Sequence, residues 1–187
     1  MAEIDVNDIS QRTGYNKYVG IDELPYKCIE YMMGNNEMIW KLLKHTSADA
    51  WKKPNLTPTE KGALVYSGQE DATLFNVFMD IGMPDVWTKE TAILRCSLFE
   101  VYPDNRTVAT VLMLFEAYSH YKIHHLSNYR IRTDMIMQQV LETMNGVAIG
   151  GIGRLHFDKM GYSGDKMYNG GQTPFKGKFL IMSNKSA

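Results

Sequence analysis

Thr91-Ala-Ile-Leu-Arg-Cys-Ser-Leu-Phe-Glu-Val-Tyr102 is the stretch that decides the fold. It alternates apolar and polar side chains, and Pro103-Asp104-Asn105 supplies a turn after it. A second run follows, Arg106-Thr-Val-Ala-Thr-Val-Leu-Met-Leu-Phe-Glu-Ala-Tyr-Ser-His120. Both runs predict long strands. Because Val108–Phe115 is apolar on both faces, we expect the second strand to be central, with a helix on one face and the N-terminal helices or another subunit on the other.

The residues after this strand pair predict a helix and two more strands. A helix from about Asn128 to Asn145, capped by Ser127 or Asn128, is predicted from an amphipathic stripe: Thr133, Ile136, Met137, Val140, Leu141 and Met144. Strands are then expected over Ala148–Asp158 and Phe175–Met182. The glycine-rich segment Lys159–Gln172 links them as a long loop.

Capping signals place three short helices earlier in the chain. Asp22 is a cap for a helix over Glu23–Met33, and Asn36 is a cap for Glu37–Lys44. Thr57-Pro58-Thr59-Glu60 has the pattern of a capping box with proline at the first helical position, which predicts a helix over 58–66. Gly68–Trp87 is interpreted as a loop with one short strand or turn.

This order of elements predicts an α+β fold. We expect an antiparallel sheet of about four strands, a packed amphipathic helix and an N-terminal helical part. Residues 1–21 are predicted to be an extended arm, and residues 22–187 a single domain. Within that domain, residues 22–87 are the helical part and residues 88–187 the sheet-and-helix core.

Composition and charge narrow the class of protein. The chain has 187 residues, 44% of them hydrophobic and 22% charged, which is typical of a soluble globular protein. Its net charge of −1 argues against a protein that coats nucleic acid. Residues 1–87 carry 8 basic and 13 acidic side chains, whereas residues 88–187 carry 12 and 8. This split is either chance or a basis for head-to-tail association.

The two cysteines and the N-terminal sequence indicate in which cellular compartment the protein is made. Cys28 and Cys96 make no disulfide framework, and both fit buried positions in a reducing compartment. We expect no signal peptide and no membrane span, since no apolar run approaches about 20 residues. The protein is therefore expected to be made and kept in a cytoplasm.

No motif predicts catalysis. His120, His124 and His125 lie close together after Glu116, but a metal site would need a further ligand such as His156. Polar residues at a strand end are the preferred interpretation. Gly150-Gly-Ile-Gly153 enters a strand rather than a helix, so it is not a phosphate loop. We predict no enzyme activity, no cofactor and no bound metal.

Two segments are candidate subunit contacts. Tyr15 and Tyr18 lie in the N-terminal arm, and Tyr162, Met167 and Tyr168 lie in the glycine-rich segment. Aromatic side chains in such segments are expected to become buried on a neighbouring subunit.

Basic residues also cluster near the C-terminus: Lys159, Lys166, Lys176, Lys178 and Lys185. At most they predict non-specific contact with passing DNA.

Three stretches carry a resemblance to a known family: Leu126–Tyr129, Asn145–Phe157 and Phe175–Ser183, within residues 20–183. The chain resembles neck proteins at the head–tail junction of tailed bacteriophages, of the tail-terminator or head–tail joining kind. That resemblance implies a non-enzymatic virion protein that forms a ring, commonly six-fold, around the DNA channel. The implied partners are copies of itself and adjacent neck, connector or tail proteins.

Alternative functions remain open at this point. A tail-tube or head-completion subunit is the alternative within the virion, and no membrane association is expected. A small cytoplasmic metal-dependent enzyme that uses the three neighbouring histidines is the alternative from a different class.

Overall fold

The computed structural model describes residues 20–68, 71–79, 89–103, 109–163 and 174–185. The helices are α1 (Leu24–Asn35), α2 (Glu37–Lys44), α3 (Pro58–Gly62) and α4 (Arg132–Met144). The strands are β1 (Val77–Phe78), β2 (Ala92–Pro103), β3 (Ala109–His120), β4 (His156–Ser163) and β5 (Phe175–Ser183). The α+β class predicted from the sequence is confirmed.

The strands form one mixed sheet in the order β1-β2-β3-β5-β4. β2, β3, β5 and β4 pair antiparallel, which matches the predicted antiparallel sheet. The short strand β1 is an addition, since it pairs with β2 in parallel. β3 lies in the middle, as its two-sided apolar pattern predicts. It is central because β5 returns from the C-terminal part of the chain to pair between β3 and β4.

The main hydrophobic core lies on the helical face of the sheet. There α1, α2 and α4 pack against side chains from alternate strand positions, including Leu94, Phe115 and Leu180. Cys28 and Cys96 are buried within this core as free thiols. Burial, and then contact with the Cys28 thiol, raise the pKa of Cys96. Neither cysteine therefore has the environment of a nucleophile.

The N-terminal helices do not cover the second face of the sheet, which corrects one of the two expectations for β3. They share the helical face with α4, because the apolar stripes of α1 and α2 meet it there. A smaller apolar cluster lies on the second face. Its buried members are Phe78, Ile93, Tyr118 and Phe175. Three partly buried residues pack against them: Tyr66, Ala72 and Phe75.

Local capping chemistry sets several helix boundaries. α2 has the predicted bounds, and the Asn36 side chain accepts a hydrogen bond from the Ile39 N–H at 3.0 Å. The capping box of Thr57 and Glu60 is present, although α3 ends at Gly62 rather than at residue 66. The predicted cap Asp22 is wrong, because Ile21–Glu23 forms a 3₁₀ turn and α1 starts after it.

Two element positions differ from the sequence prediction. α4 starts at Arg132 and not near Asn128, because His125 and Ile131 form a β-bridge that closes residues 126–130 into a turn. The strand expected over Ala148–Asp158 lies instead at 156–163. Residues 146–155 form a turn stabilised by an Ala148–Arg154 bridge, and pairing with β5 sets the true strand.

Arg132 joins the first turn of α4 to the end of α2. Its guanidinium is fully buried and donates to five backbone carbonyls. The acceptors, at 2.7–3.2 Å, belong to Leu42, His45, Thr46, Ser47 and Ile123. Burial lowers the pKa of Arg132 to about 10, so it stays protonated at neutral pH. A single side chain therefore satisfies carbonyls left unpaired at a helix C-terminus.

Candidate subunit-contact surface

The two edges of the sheet differ in how they are closed. β1 is only two residues long, and Val65 bridges its outer side at Val77. β4 is eight residues long and pairs with β5 on one side. Among the described residues, no strand pairs with its other side. A long edge strand presents a row of backbone donors and acceptors that can pair with another chain.

β4 also exposes large apolar side chains. Phe157 is 48% exposed and Tyr162 is 73% exposed. Phe157 pairs in register with Met182, and Met160 with Leu180, so these positions face the helical side. Tyr162, opposite Lys178, lies on the same side. Exposed aromatic side chains beside an open strand edge are typical of a protein–protein contact.

The exposed side chains on and beside β4 carry both signs of charge, since Asp158 on this strand is exposed as well. Arg154 and Lys159 are exposed, and Lys176 lies on the neighbouring strand. The Lys178 ammonium lies 5.2 Å from the Tyr162 ring centroid and 2.9 Å from the Asp134 carboxylate. Asp134 therefore offsets part of the cluster of lysines predicted from the sequence. Lys166 lies outside the described residues, and DNA contact stays a prediction.

Of the five predicted contact residues, Tyr162 is the one within the described part of the chain. It lies on β4 rather than in a loop, because β4 extends to Ser163. Tyr15, Tyr18, Met167 and Tyr168 lie outside the described residues. The contact roles of all five stay predictions.

The comparisons with known proteins bear on the origin of this fold. The model of the YomW family matches residues 36–177. The chain belongs to the YomW family. That family is of the Bacillus phage SPBc2 type, so the protein is phage-derived. A comparison with the curated proteins found no match.

The YomW-family match runs from the N-cap of α2 to the third residue of β5. It therefore includes β4 and its exposed aromatic residues, and it ends at Gly177 on β5. α1, which precedes the matched region, packs on β2 and α4. The candidate contact edge is thus part of the matched fold.

A buried polar network on the second face of the sheet did not emerge from the sequence of this YomW-family chain. Arg95 on β2 is fully buried and lies 3.1 Å from the Glu116 carboxylate on β3. The Tyr118 hydroxyl donates to Glu116 at 2.7 Å and lies 2.9 Å from the Ser163 hydroxyl on β4. Burial is the main cause that raises the pKa of Tyr118. Arg95 and Glu116 occupy facing positions in the register, which only the strand pairing shows.

Glycines on β5 and β4 make room for the aromatic side chains of this face. A Cβ at Gly177 would lie 2.5 Å from Tyr118 Cε1, and a Cβ at Gly161 would lie 2.9 Å from the Phe179 ring. The Tyr118 ring therefore crosses β5 and reaches Ser163. This crossing couples the polar network to the edge strand.

Tyr129 is a further exposed aromatic residue, and it was not among the predicted contact residues. It is fully exposed and has a φ of 62°, in the left-handed region that bulky residues rarely adopt. Its turn is fixed by a Leu126 N–H bond to the Arg130 carbonyl and a Ser127 N–H bond to Ala48. The turn was not predicted, because the sequence prediction assigned this segment to a helix. Ser127-Asn128 is the only local sequence signal for a turn there.

The three neighbouring histidines are not arranged around a common point. His120 packs edge-on against Phe175, with ring centroids 5.5 Å apart, and caps the 3₁₀ turn after β3. His124 Nδ1 lies 2.6 Å from the Ser119 hydroxyl. Within the described residues, no group of three or more His, Cys, Asp or Glu side chains could hold a metal ion. None of the described helices is long and apolar enough to cross a membrane.

Proposed function

We propose that this phage-derived protein is a non-enzymatic structural subunit of the virion that forms an oligomeric ring at the head–tail junction. The observation that carries the proposal is the open edge of β4, with Phe157 and Tyr162 exposed beside it. At the opposite edge, β1 pairs with β2 only at Leu94 and Arg95, so among the described residues the remainder of β2 is a second open stretch of edge. Two unlike edges allow a heterologous contact, in which a patch meets a different patch on the next copy.

The distribution of charge supports the same proposal. Each ion pair found between described residues joins two residues of the same half of the chain, either 1–87 or 88–187. The acidic surplus of the first half and the basic surplus of the second are therefore not cancelled by these pairs. Both are left to act between copies, where unlike patches favour a head-to-tail arrangement.

Electron microscopy of the purified full chain tests the proposal. The expected result is closed rings of uniform symmetry, formed alone or after addition of the adjacent neck proteins. Tyr162→Ser should reduce ring formation, because Tyr162 is 73% exposed on the edge strand. Tyr121→Ser is the control, since Tyr121 is 56% exposed on the 3₁₀ turn after β3.

Three results would contradict this function. A protein that stays monomeric at high concentration, in low salt and with its partners would exclude a ring. Long stacked tubes would favour a tail-tube subunit instead. Stoichiometric metal in the purified protein, lost with the His124→Ala substitution, would favour the metal-dependent enzyme.

A further inference from the structure

The outer edge of β4 is a strand-sized site without an assigned occupant. β4 uses one side for its ladder with β5, from His156–Ser183 to Ser163–Gly177. Its other side has no strand partner among the described residues. Added strands bind such an edge through main-chain hydrogen bonds, and the alternating side chains determine which strand fits.

The two faces of β4 differ in chemistry. On the helical side it presents Phe157, Met160 and Tyr162. On the other side it presents Lys159, which pairs in register with Ile181 and so shares a face with Leu114. A strand that fits this edge would carry apolar side chains on the first side and acidic side chains on the second.

Residues 3–7 of the chain, Glu3-Ile-Asp-Val-Asn7, have this pattern. In an extended strand, Ile4 and Val6 lie on one face, and Glu3 and Asp5 lie on the other. Residues 1–10 contain three acidic side chains and no lysine or arginine. They are therefore complementary in charge to Lys159 and to the exposed Arg154 that precedes β4, while Asp158 on β4 is exposed and acidic.

We propose that residues 3–7 of a second copy of this chain pair as an added strand with the outer edge of β4. The inference rests on the proposed self-assembly and names the surface that carries it. Each copy then gives one strand and receives one, which is a heterologous contact that closes into a ring or continues as a filament. Ile4 and Val6 lie beside Phe157, Met160 and Tyr162, and Glu3 and Asp5 lie beside Lys159.

The alternative of β4 pairing with β4 of another copy is disfavoured by charge. An antiparallel pair of identical strands centred on Lys159 would bring two copies of this lysine to the same edge. Like charges placed directly opposite destabilise a strand pair. The acidic segment removes this repulsion and replaces it with attraction.

The start of the described chain permits the exchange. α1 begins beside the turn that leads into β4, since a Cβ at Gly150 would lie 2.6 Å from Leu24 Cδ2. Residues 8–19 lie between the proposed strand and this point. Twelve residues span up to roughly 40 Å when extended, which is enough to reach an adjacent subunit.

Disulfide trapping between two differently tagged full-length chains tests the pairing. One chain carries Glu3→Cys or Asp5→Cys, and the other carries Lys159→Cys. These positions share a face, so mild oxidation should link the two chains. Ile4→Cys with Lys159→Cys is the matched control, because its side chains lie on opposite faces and should link severalfold less. The native thiols of Cys28 and Cys96 are buried in the core.

The trapping result has clear contrary outcomes. Equal yields from the same-face and opposite-face pairs, or no linked chains, would overturn the proposed pairing. A chain carrying both Asp5→Cys and Lys159→Cys that links only within itself would show that the arm covers its own β4. That result would overturn the exchange between copies.

Charge reversal gives an independent measurement by sedimentation velocity. Asp5→Lys and Lys159→Glu should each weaken self-association severalfold, and their combination should restore it. Rings that form with unchanged affinity in both single variants would overturn the strand exchange and leave the ring proposal standing. Cross-linked chains that never form rings would support the exchange and contradict the ring.

Discussion

Arg132 is the residue whose loss we expect to cost the fold most. Its buried guanidinium serves five carbonyls, so Arg132→Met would leave several of them without a donor. Unsatisfied buried acceptors cost about 1–3 kcal/mol each, partly relieved by relaxation. We expect the free energy of unfolding in urea to fall by at least about 3 kcal/mol.

Two further variants make the Arg132 measurement specific. Arg132→Lys keeps the charge but cannot reproduce the planar fork, so its stability should lie between the wild type and Arg132→Met. Arg130→Met is the control, because Arg130 is exposed and the described hydrogen bond of its side chain goes to the Gln138 side chain. If Arg130→Met proves as destabilising as Arg132→Met, the loss of the five hydrogen bonds of Arg132 is not the cause of the destabilisation.

His124 should make the fold sensitive to mild acid. Burial, and then the neighbouring charge of His125, lower the pKa of His124 from its usual 6.5. The unfolded chain therefore binds a proton at a pH where the folded chain does not. Stability is fully present above about pH 6.5 and declines as the pH falls towards the lowered folded value. Burial also lowers the pKa of His45, which acts in the same direction.

Thermal unfolding across this pH range measures the effect. The midpoint of the wild type should drop between about pH 7.5 and 5.5, and it should drop less in His124→Gln. The two proteins are compared by how steeply the unfolding midpoint changes with pH. The midpoint at a single pH would also include the loss of the hydrogen bond to Ser119. Parallel slopes in the two proteins would show that His124 is not the group responsible.

Burial of apolar residues was easier to predict from the sequence than the pairing of polar residues. The buried positions of Cys28 and Cys96 followed from local periodicity. Arg132 and Arg95 were not singled out, since their partners come from distant parts of the chain. The acceptors of Arg132 on α2 and its following turn lie 85–90 positions earlier. No local pattern marks such an arginine as buried.

At the scale of elements, the pairing of β5 with its neighbours depends on Gly177. A Cβ there would lie 2.5 Å from Tyr118 Cε1 and 2.9 Å from Ser163 Cβ. Gly177→Ala would displace the Tyr118 ring from its bonds to Glu116 and Ser163. We expect it to lower the free energy of unfolding by about 1–3 kcal/mol, the usual cost of overpacking.

Gly34→Ala is the matched control for this prediction. Gly34 lies within α1, and an added Cβ would meet nothing within 4 Å. Alanine in a helix interior is more favourable than glycine by about 0.5–1 kcal/mol. The two substitutions should therefore have opposite signs in urea unfolding. A stabilising Gly177→Ala would mean that Tyr118 does not cross β5 as described.

Element boundaries were predictable where the signal was local. Asn36 and the Thr57–Glu60 capping box act within one helical turn, and both caps are present. β4 was misplaced because its position depends on the ladder with β5, about 20 residues later. The start of α4 was misplaced because the His125–Ile131 bridge competes with the helix for residues 126–130. Long-range pairing decided both cases.

At the scale of the whole molecule, the edge position of β4 could not be read from the sequence. The chain order suggests that β5, as the last strand, lies at an edge. Instead β5 inserts between β3 and β4, which leaves β4 outermost. Tyr162 was chosen as a contact residue for a different reason, its place in a glycine-rich segment. Tyr162 lies on this edge strand, and its contact role stays a prediction.

Self-association is expected to depend only partly on salt. The exposed charges around β4, such as Lys159, are screened over a Debye length of about 8 Å at physiological ionic strength. Exposed ion pairs contribute at most about 1 kcal/mol each, so salt should weaken the contact without abolishing it. The apolar part of the contact, from Phe157 and Tyr162, is not screened.

Sedimentation velocity of the full chain at about 0.05 M and 0.5 M salt measures this dependence. The dissociation constant should rise severalfold in the wild type at high salt. Lys159→Gln should bind more weakly at low salt and respond less to added salt, because it lacks one screened charge. Tyr162→Ser should weaken association at both salt concentrations by a similar factor, since it removes apolar contact. Complete dissociation of the wild type at high salt would assign the contact to charge alone and contradict a role for the exposed aromatic residues of β4.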